Sequence, residues 1–306
     1  MKRILDCSAS DFERLDRGAL CTAIRKAEGR TIITETIGAI APVLLNVSNA
    51  ELAAAMGADL IVLNMFDVLN PKVFGLPPCQ PNETVRTIRR LTGCVVGVNL
   101  EPVEQRKNID TGDIWALTPG RLATVENAQC ALEMGVQFIV LTGNPGNGVD
   151  NKGIAAALSA IRTEIGDSMM LVTGKMHASG ITKESGHAIM TAEDIGLFSD
   201  AGADMILLPA PGTVPGITVE SARKLVDLAH ERDMLAMTAI GTSQEGADVA
   251  TIRQLALYSK MTGADAHHLG DAGCCGVALP ENIFTYSVAI RGVRHTYTRM
   301  ARSIVR

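Results

Sequence analysis

Met56-Gly57-Ala58-Asp59 followed by Leu60-Ile61-Val62-Leu63 is a glycine, a small residue, a polar residue and then an apolar burst. The phrase returns as Met134-Gly135-Val136-Gln137 before Phe138-Ile139-Val140-Leu141, and as Ala201-Gly202-Ala203-Asp204 before Met205-Ile206-Leu207-Leu208. A fourth copy, Thr262-Gly263-Ala264-Asp265, precedes His267. Glycine tolerates the left-handed backbone that ends a helix, and a short apolar run after it reads as a buried strand. Each copy therefore marks a junction from helix to strand.

The interval between copies holds one further helix and strand, so the four junctions predict every second strand of an eight-unit chain. The intervening strands read at 30–36, 94–100, 169–173 and 234–240, where the apolar residues run on without polar alternation. Such runs are buried on both faces, as in an all-parallel sheet. A doubly wound open sheet shares this local pattern, but eight units fill 306 residues at the length usual for a closed barrel. The expected fold is α/β, a (β/α)8 TIM barrel over 31–306 with an N-terminal helical extension over 1–30. Within that extension Ser10 to Lys26 reads as a helix covering the barrel floor. Thr124, Thr191 and Thr218 stand where they can cap helix starts, each with a carboxylate in the first turn, and Ser48 with Glu51 fits a capping box.

No linker or low-complexity stretch divides the chain. The start, Met1-Lys2-Arg3-Ile4-Leu5-Asp6, meets charge too soon for a secretory h-region, and no apolar run reaches membrane-spanning length, so a cytoplasmic protein without membrane partners is expected. Seven scattered cysteines without paired metal-ligand spacing fit reduced thiols. A net charge of −5 and an aromatic content of 3% disfavour nucleic acid as a partner.

In a barrel of this kind the active site lies at the C-terminal ends of the strands. Thr173-Gly174-Lys175-Met176-His177 would put an amine and an imidazole on one side of the rim, since residues two apart on a strand face the same way. Lys175 could form a Schiff base with a carbonyl, bind an anion as a fixed cation, or pair structurally with Glu35 or Glu101. His177 could carry protons. Asn99 and Glu101 repeat that spacing on the third strand, where Glu101 could act as base or metal ligand. Glu35 ends an otherwise apolar first strand, and Asn64 and Asn144 end the second and fourth. Of His267 and His268, one must face the lumen and the other the helices. Vicinal Cys274-Cys275 has no neighbouring base to activate it.

Gly241-Thr242-Ser243 follows the seventh strand, and Gly270-Asp271-Ala272-Gly273 the eighth, before Pro280 opens a helix. Backbone N–H groups in such loops can hold an anion. Here the chain resembles the phosphate-binding superfamily of (β/α)8 barrels, which includes sugar-phosphate aldolases, isomerases and epimerases. The resemblance implies a phosphate cradle at Gly241, Thr242, Ser243, Gly270 and Gly273, with Asp271 departing from that pattern because a carboxylate repels the anion. Two long loops, 102–123 with Trp115 and 178–190, could close over a ligand.

The leading expectation is an enzyme of carbohydrate metabolism, a lyase or isomerase acting on a small phosphorylated or carboxylated metabolite, with no cofactor required. Lys175 would be the electrophile or Schiff-base former, and His177 and Glu101 the proton carriers. The alternatives are a divalent-metal enzyme using Glu35, Glu101 and His177, and a metabolite-binding protein without turnover. At the C-terminus, Ile283, Tyr286, Ile290, Val293, Tyr297, Met300 and Ile304 form an apolar seam. It predicts one long helix whose overhang meets the N-terminal helix or a second subunit of a homo-oligomer.

Overall fold

The computed structural model describes residues 2–103, 117–143, 145 and 148–306. Eight parallel strands close a barrel in sequence order. They are β1 Thr31–Ile37, β2 Leu60–Asn64, β3 Val95–Leu100, β4 Phe138–Leu141, β5 Met170–Gly174, β6 Met205–Pro209, β7 Leu235–Ile240 and β8 Ala266–Leu269. Closure comes from β8 pairing with β1, His267 opposite Ile32. Two helices precede the barrel, α1 Ala9–Phe12 and α2 Arg17–Arg25. Around it run α3 Asn49–Ala55, α4 Thr84–Thr92, α5 Val125–Glu133, α6 Asn151–Ile165, α7 Ala192–Asp200, α8 Val219–Glu231, α9 Val249–Met261 and α10 Pro280–Ala301. The expected caps form: Ser48, Thr191 and Thr218 make capping boxes, and the Thr124 side chain accepts the Asn127 N–H.

Burial on both strand faces has two destinations. Outward residues such as Ile61, Val96, Ile139 and Leu171 join the helices in one apolar cluster. Inward residues Ile33, Leu60, Val95, Phe138, Met170 and Met205 join Ile4, Phe12, Leu20 and Ile24 of the N-terminal segment in another. Residues 4–27 thus plug the floor of the barrel, which would otherwise expose this apolar surface to water. Phe138 fills the lumen only because Gly97 faces it, since a Cβ there would lie 2.5 Å from the ring.

The polar residue of the repeated phrase works at this floor. Asp59 accepts the Ile32 N–H, Asp204 the Leu171 N–H and Asp265 the Ala236 N–H, all within 2.9 Å, so each binds the start of the preceding strand. Gln137, in the remaining copy, instead donates to the Phe12 carbonyl at 2.7 Å, fixing the plug. Asp59 also holds two arginines, Arg291 at 2.6 Å and Arg299 at 2.7 Å.

Those arginines correct the expectation of an overhanging C-terminal helix. Gly292, with φ 75° and ψ 165°, breaks α10. The chain turns back, so that Arg299 reaches both Asp59 and the Ile4 carbonyl, while the hydroxyls of Ser287 and Thr296 meet at 2.9 Å. Ile283, Tyr286 and Ile290 are buried as the seam requires, whereas Val293 and Tyr297 remain 52% and 56% exposed.

Candidate active site at the barrel mouth

The period-two alternation that fills the lumen with apolar residues delivers polar ones at its C-terminal end. Glu35, Asn64, Asn99, Glu101 and Thr142 continue the inward rows of β1 to β4 and line a cleft of about 320 Å³. His177, Glu245, Gly241, Gly270 and Asp271 line it from the loops after β5, β7 and β8.

Past Leu100 the chain stays paired: Glu101 donates its N–H to the Arg121 carbonyl and accepts that of Ala123. This lays the Arg121 guanidinium against the Glu101 carboxylate at 2.5 Å, both groups nearly buried. Across the barrel His268 faces inward and its Nε2 lies 3.3 Å from Glu35. His267 faces outward against Tyr286, hydrogen-bonds Thr238 and the Gly29 carbonyl, and burial pushes its pKa down to about 4.

Asp271 is held by two N–H groups, the Asn64 side chain at 2.7 Å and the Gly273 backbone at 2.8 Å. Burial, reinforced by the neighbouring charge of Glu35, pushes its pKa up to about 7. Burial likewise raises Glu245, which is only 2% exposed. His177 is lowered by burial and then by the charge of Lys175, so it stands neutral at pH 7 with Nδ1 3.0 Å from the Ser179 hydroxyl.

Lys175 does not line this cleft. Gly174 adopts φ 155°, and a Cβ there would overlap the Leu207 carbonyl, so the chain leaves β5 with Met176 and His177 toward the cleft. Lys175 is buried elsewhere and pairs with Glu184 at 2.5 Å, anchoring the 178–190 loop; neither Glu35 nor Glu101 is its partner. The expected pairing of Lys175 with His177 on one side of the rim is thereby corrected.

The glycine loops also differ from a phosphate cradle. The Gly270 N–H is taken by the Ile240 carbonyl and that of Gly273 by Asp271, while the intervening Ala272 N–H binds Glu245. Two of these three donors are held by carboxylates and the third by a backbone carbonyl. The Thr242 hydroxyl donates to the Thr213 carbonyl, and Ser243 takes a left-handed turn at φ 73° into the 3-10 turn Gln244–Gly246. Among the described residues no three His, Cys, Asp or Glu side chains are placed to share a metal ion, and no helix is long and apolar enough to cross a membrane. Asn144, Trp115 and the Cys274 side chain lie outside the described residues.

Sequence reasoning missed Glu245 and Arg121 because neither ends a strand. A carboxylate inside the glycine-bounded run 241–246 was a signal for the first. Nothing in the sequence registers Arg121 against Glu101.

Fold and cleft define a (β/α)8 barrel with an acid-rich mouth. The chain belongs to the family described as "Domain of unknown function (DUF7916)", matched over residues 5–306. No curated protein matches it. Among solved structures it is similar to an archaeal fructose-1,6-bisphosphate aldolase, described with its catalytic Lys covalently bound to the carbinolamine intermediate of the substrate. That likeness has 13% identity, 86% of this chain and 95% of the other, and a TM-score of 0.54. A thiamine phosphate pyrophosphorylase from Pyrococcus furiosus is also similar, at 13% identity over 86% of this chain and 96% of the other, with a TM-score of 0.48. The resemblance to aldolase-type barrels holds at the level of the fold.

Proposed function

We propose that this protein is a lyase or isomerase of the sugar-phosphate type that moves a proton on a small metabolite, with Asp271 as the proton carrier. The observation that carries the reading is a fixed carboxyl at the barrel mouth whose pKa lies at about 7. Such a group exists in both protonation states at neutral pH and can take and return a proton, the condition for general acid–base work. Neutral His177 serves as a second proton carrier, while Glu35 and Glu101 are held by His268 and Arg121. The phosphorylated or carboxylated end of the substrate belongs on the side of Arg121 and His177, because the β7 and β8 loops present carboxylates. No step in this scheme requires a Schiff base at Lys175. Consistent with the sequence, the protein is read as cytoplasmic and homo-oligomeric.

The test is deuterium wash-in from D2O, followed by NMR over a panel of aldose and ketose phosphates and keto acids. Wild type should exchange a carbon-bound proton of its substrate, Asp271→Asn should lose at least about 100-fold in rate, and Lys175→Met should stay within about tenfold. An Asp271→Asn variant that exchanges at the wild-type rate, or borohydride trapping of substrate on Lys175, would overturn the reading.

A further inference from the structure

The cleft contains acceptors that the protein does not satisfy, and their orientation is fixed by a chain of amides. Asn64 Oδ1 accepts the Met65 N–H at 2.8 Å and the Asn99 Nδ2 at 3.1 Å, while Asn64 Nδ2 donates to the Asp271 carboxylate at 2.7 Å. Flipping Asn64 would turn its oxygen onto a carboxylate, and flipping Asn99 would set two oxygens together. Asn99 Oδ1 is therefore left with no partner, in a side chain only 7% exposed. Glu245 repeats the situation: Oε1 accepts the Ala272 N–H at 2.9 Å, and buried Oε2 has no partner.

The charges point the same way. Glu101 is paired with the Arg121 guanidinium and Glu35 lies 3.3 Å from His268 Nε2, whereas Asp271 and Glu245 have no Lys, Arg or His side chain within ion-pair distance among the described residues. Neutral His177 does not compensate them. A phosphoryl or carboxylate group placed here would set further acceptors against the unpartnered Asn99 Oδ1 and Glu245 Oε2. A hydroxyl brings one donor, but a primary ammonium brings three donors, no acceptor and the missing charge.

We infer that the substrate carries a protonated primary amine, seated against Asn99, Glu245 and Asp271. This rests on the cleft being the substrate site of the proposed enzyme and narrows the substrate to an aminated metabolite, with its anionic end toward Arg121.

A matched pair of probes tests it: 2-amino-1,3-propanediol and glycerol differ only in an ammonium for a hydroxyl. Their binding to the full-length protein is compared by saturation-transfer NMR near pH 7.5, with MgCl2 as a further arm. The amine should bind at least about tenfold tighter than glycerol, a preference that Glu245→Gln and Asn99→Ala each reduce at least about threefold. An amine that fails to bind, or binds no tighter than glycerol, overturns the inference, as does a preference unaffected by both substitutions. Displacement of the amine by millimolar Mg²⁺ overturns it in favour of a metal site. The role of Asp271 is judged separately by deuterium exchange, so either conclusion can fail without the other.

Discussion

Replacing Asp271 by asparagine should make the protein less active and, at alkaline pH, more stable. A carboxyl whose pKa is raised in the folded state contributes stability that is fully present below its unfolded pKa of about 3.9 and lost as pH rises through the folded value. With the folded value at about 7, the three-unit difference corresponds to about 4 kcal/mol at pH 8, of which about 2–3 kcal/mol survives solvent screening of this partly exposed group. Asparagine removes that penalty but loses one of two acceptors for the N–H groups of Asn64 and Gly273, a cost of about 1 kcal/mol. At pH 5, already above the unfolded value, roughly 1 kcal/mol of the screened penalty is present, so the variant should be about 1–2 kcal/mol more stable than wild type at pH 8 and about as stable as wild type at pH 5. In melts this reads as a rise of about 2–3 °C at pH 8 and little change at pH 5. A variant-minus-wild-type difference that is the same at both pH values would refute the assignment of a raised pKa to Asp271.

Other perturbations examine the scaffold and assembly. Asp59→Asn leaves Arg291 and Arg299 buried without their shared counter-charge and should cost about 3–5 kcal/mol in urea unfolding. Asp265→Asn, whose partner His230 is 41% exposed on its side chain, should cost only about 1 kcal/mol; equal losses would contradict this account of the repeat. Gly97→Ala drives a methyl into the Phe138 ring and should cost about 1–3 kcal/mol, relieved when combined with Phe138→Leu. A proposed subunit contact would use the exposed Val293 and Tyr297: light scattering should then find the wild type oligomeric and the Val293→Ser/Tyr297→Ser double variant smaller, and a monomeric wild type removes the proposal.

The barrel was legible because its evidence is periodic. Helix-closing glycines and two-sided apolar strands depend on local backbone preference and burial, which a single chain displays directly. His267 and His268 divided between helix layer and lumen as strand alternation requires. Reading failed where one residue interrupts a period. Lys175 continues the outward row of Leu171 and Thr173, and the break after Gly174 brings His177 to the cleft without it, while Gly292 divides an unbroken apolar seam. A glycine inside a strand or helix signals that the backbone can deviate, but the deviation is chosen by contacts distant in sequence, here with Leu207 and Asp59. The glycine loops misled for a related reason. Their spacing permits an anion; Asp271 departs from that pattern already in the sequence, but the hold of Glu245 on the Ala272 amide declares itself only in three dimensions.

The two ends of the barrel treat acidic residues in opposite ways, and that contrast locates the function better than any single motif. At the floor, Asp59 and Asp204 each bind a strand N–H and an arginine, and Asp265 binds a strand N–H and the His230 imidazole. Carboxylates so matched stabilise the fold without leaving capacity for a ligand. At the mouth, Asp271 is held by N–H groups without a counter-charge, and Glu245 keeps a buried oxygen unmatched. Leaving these two acids unmatched at the mouth is costly, because each unmatched buried group costs about 1–3 kcal/mol. The arrangement fits a complementary donor and cation arriving from outside, which is what a substrate amine supplies.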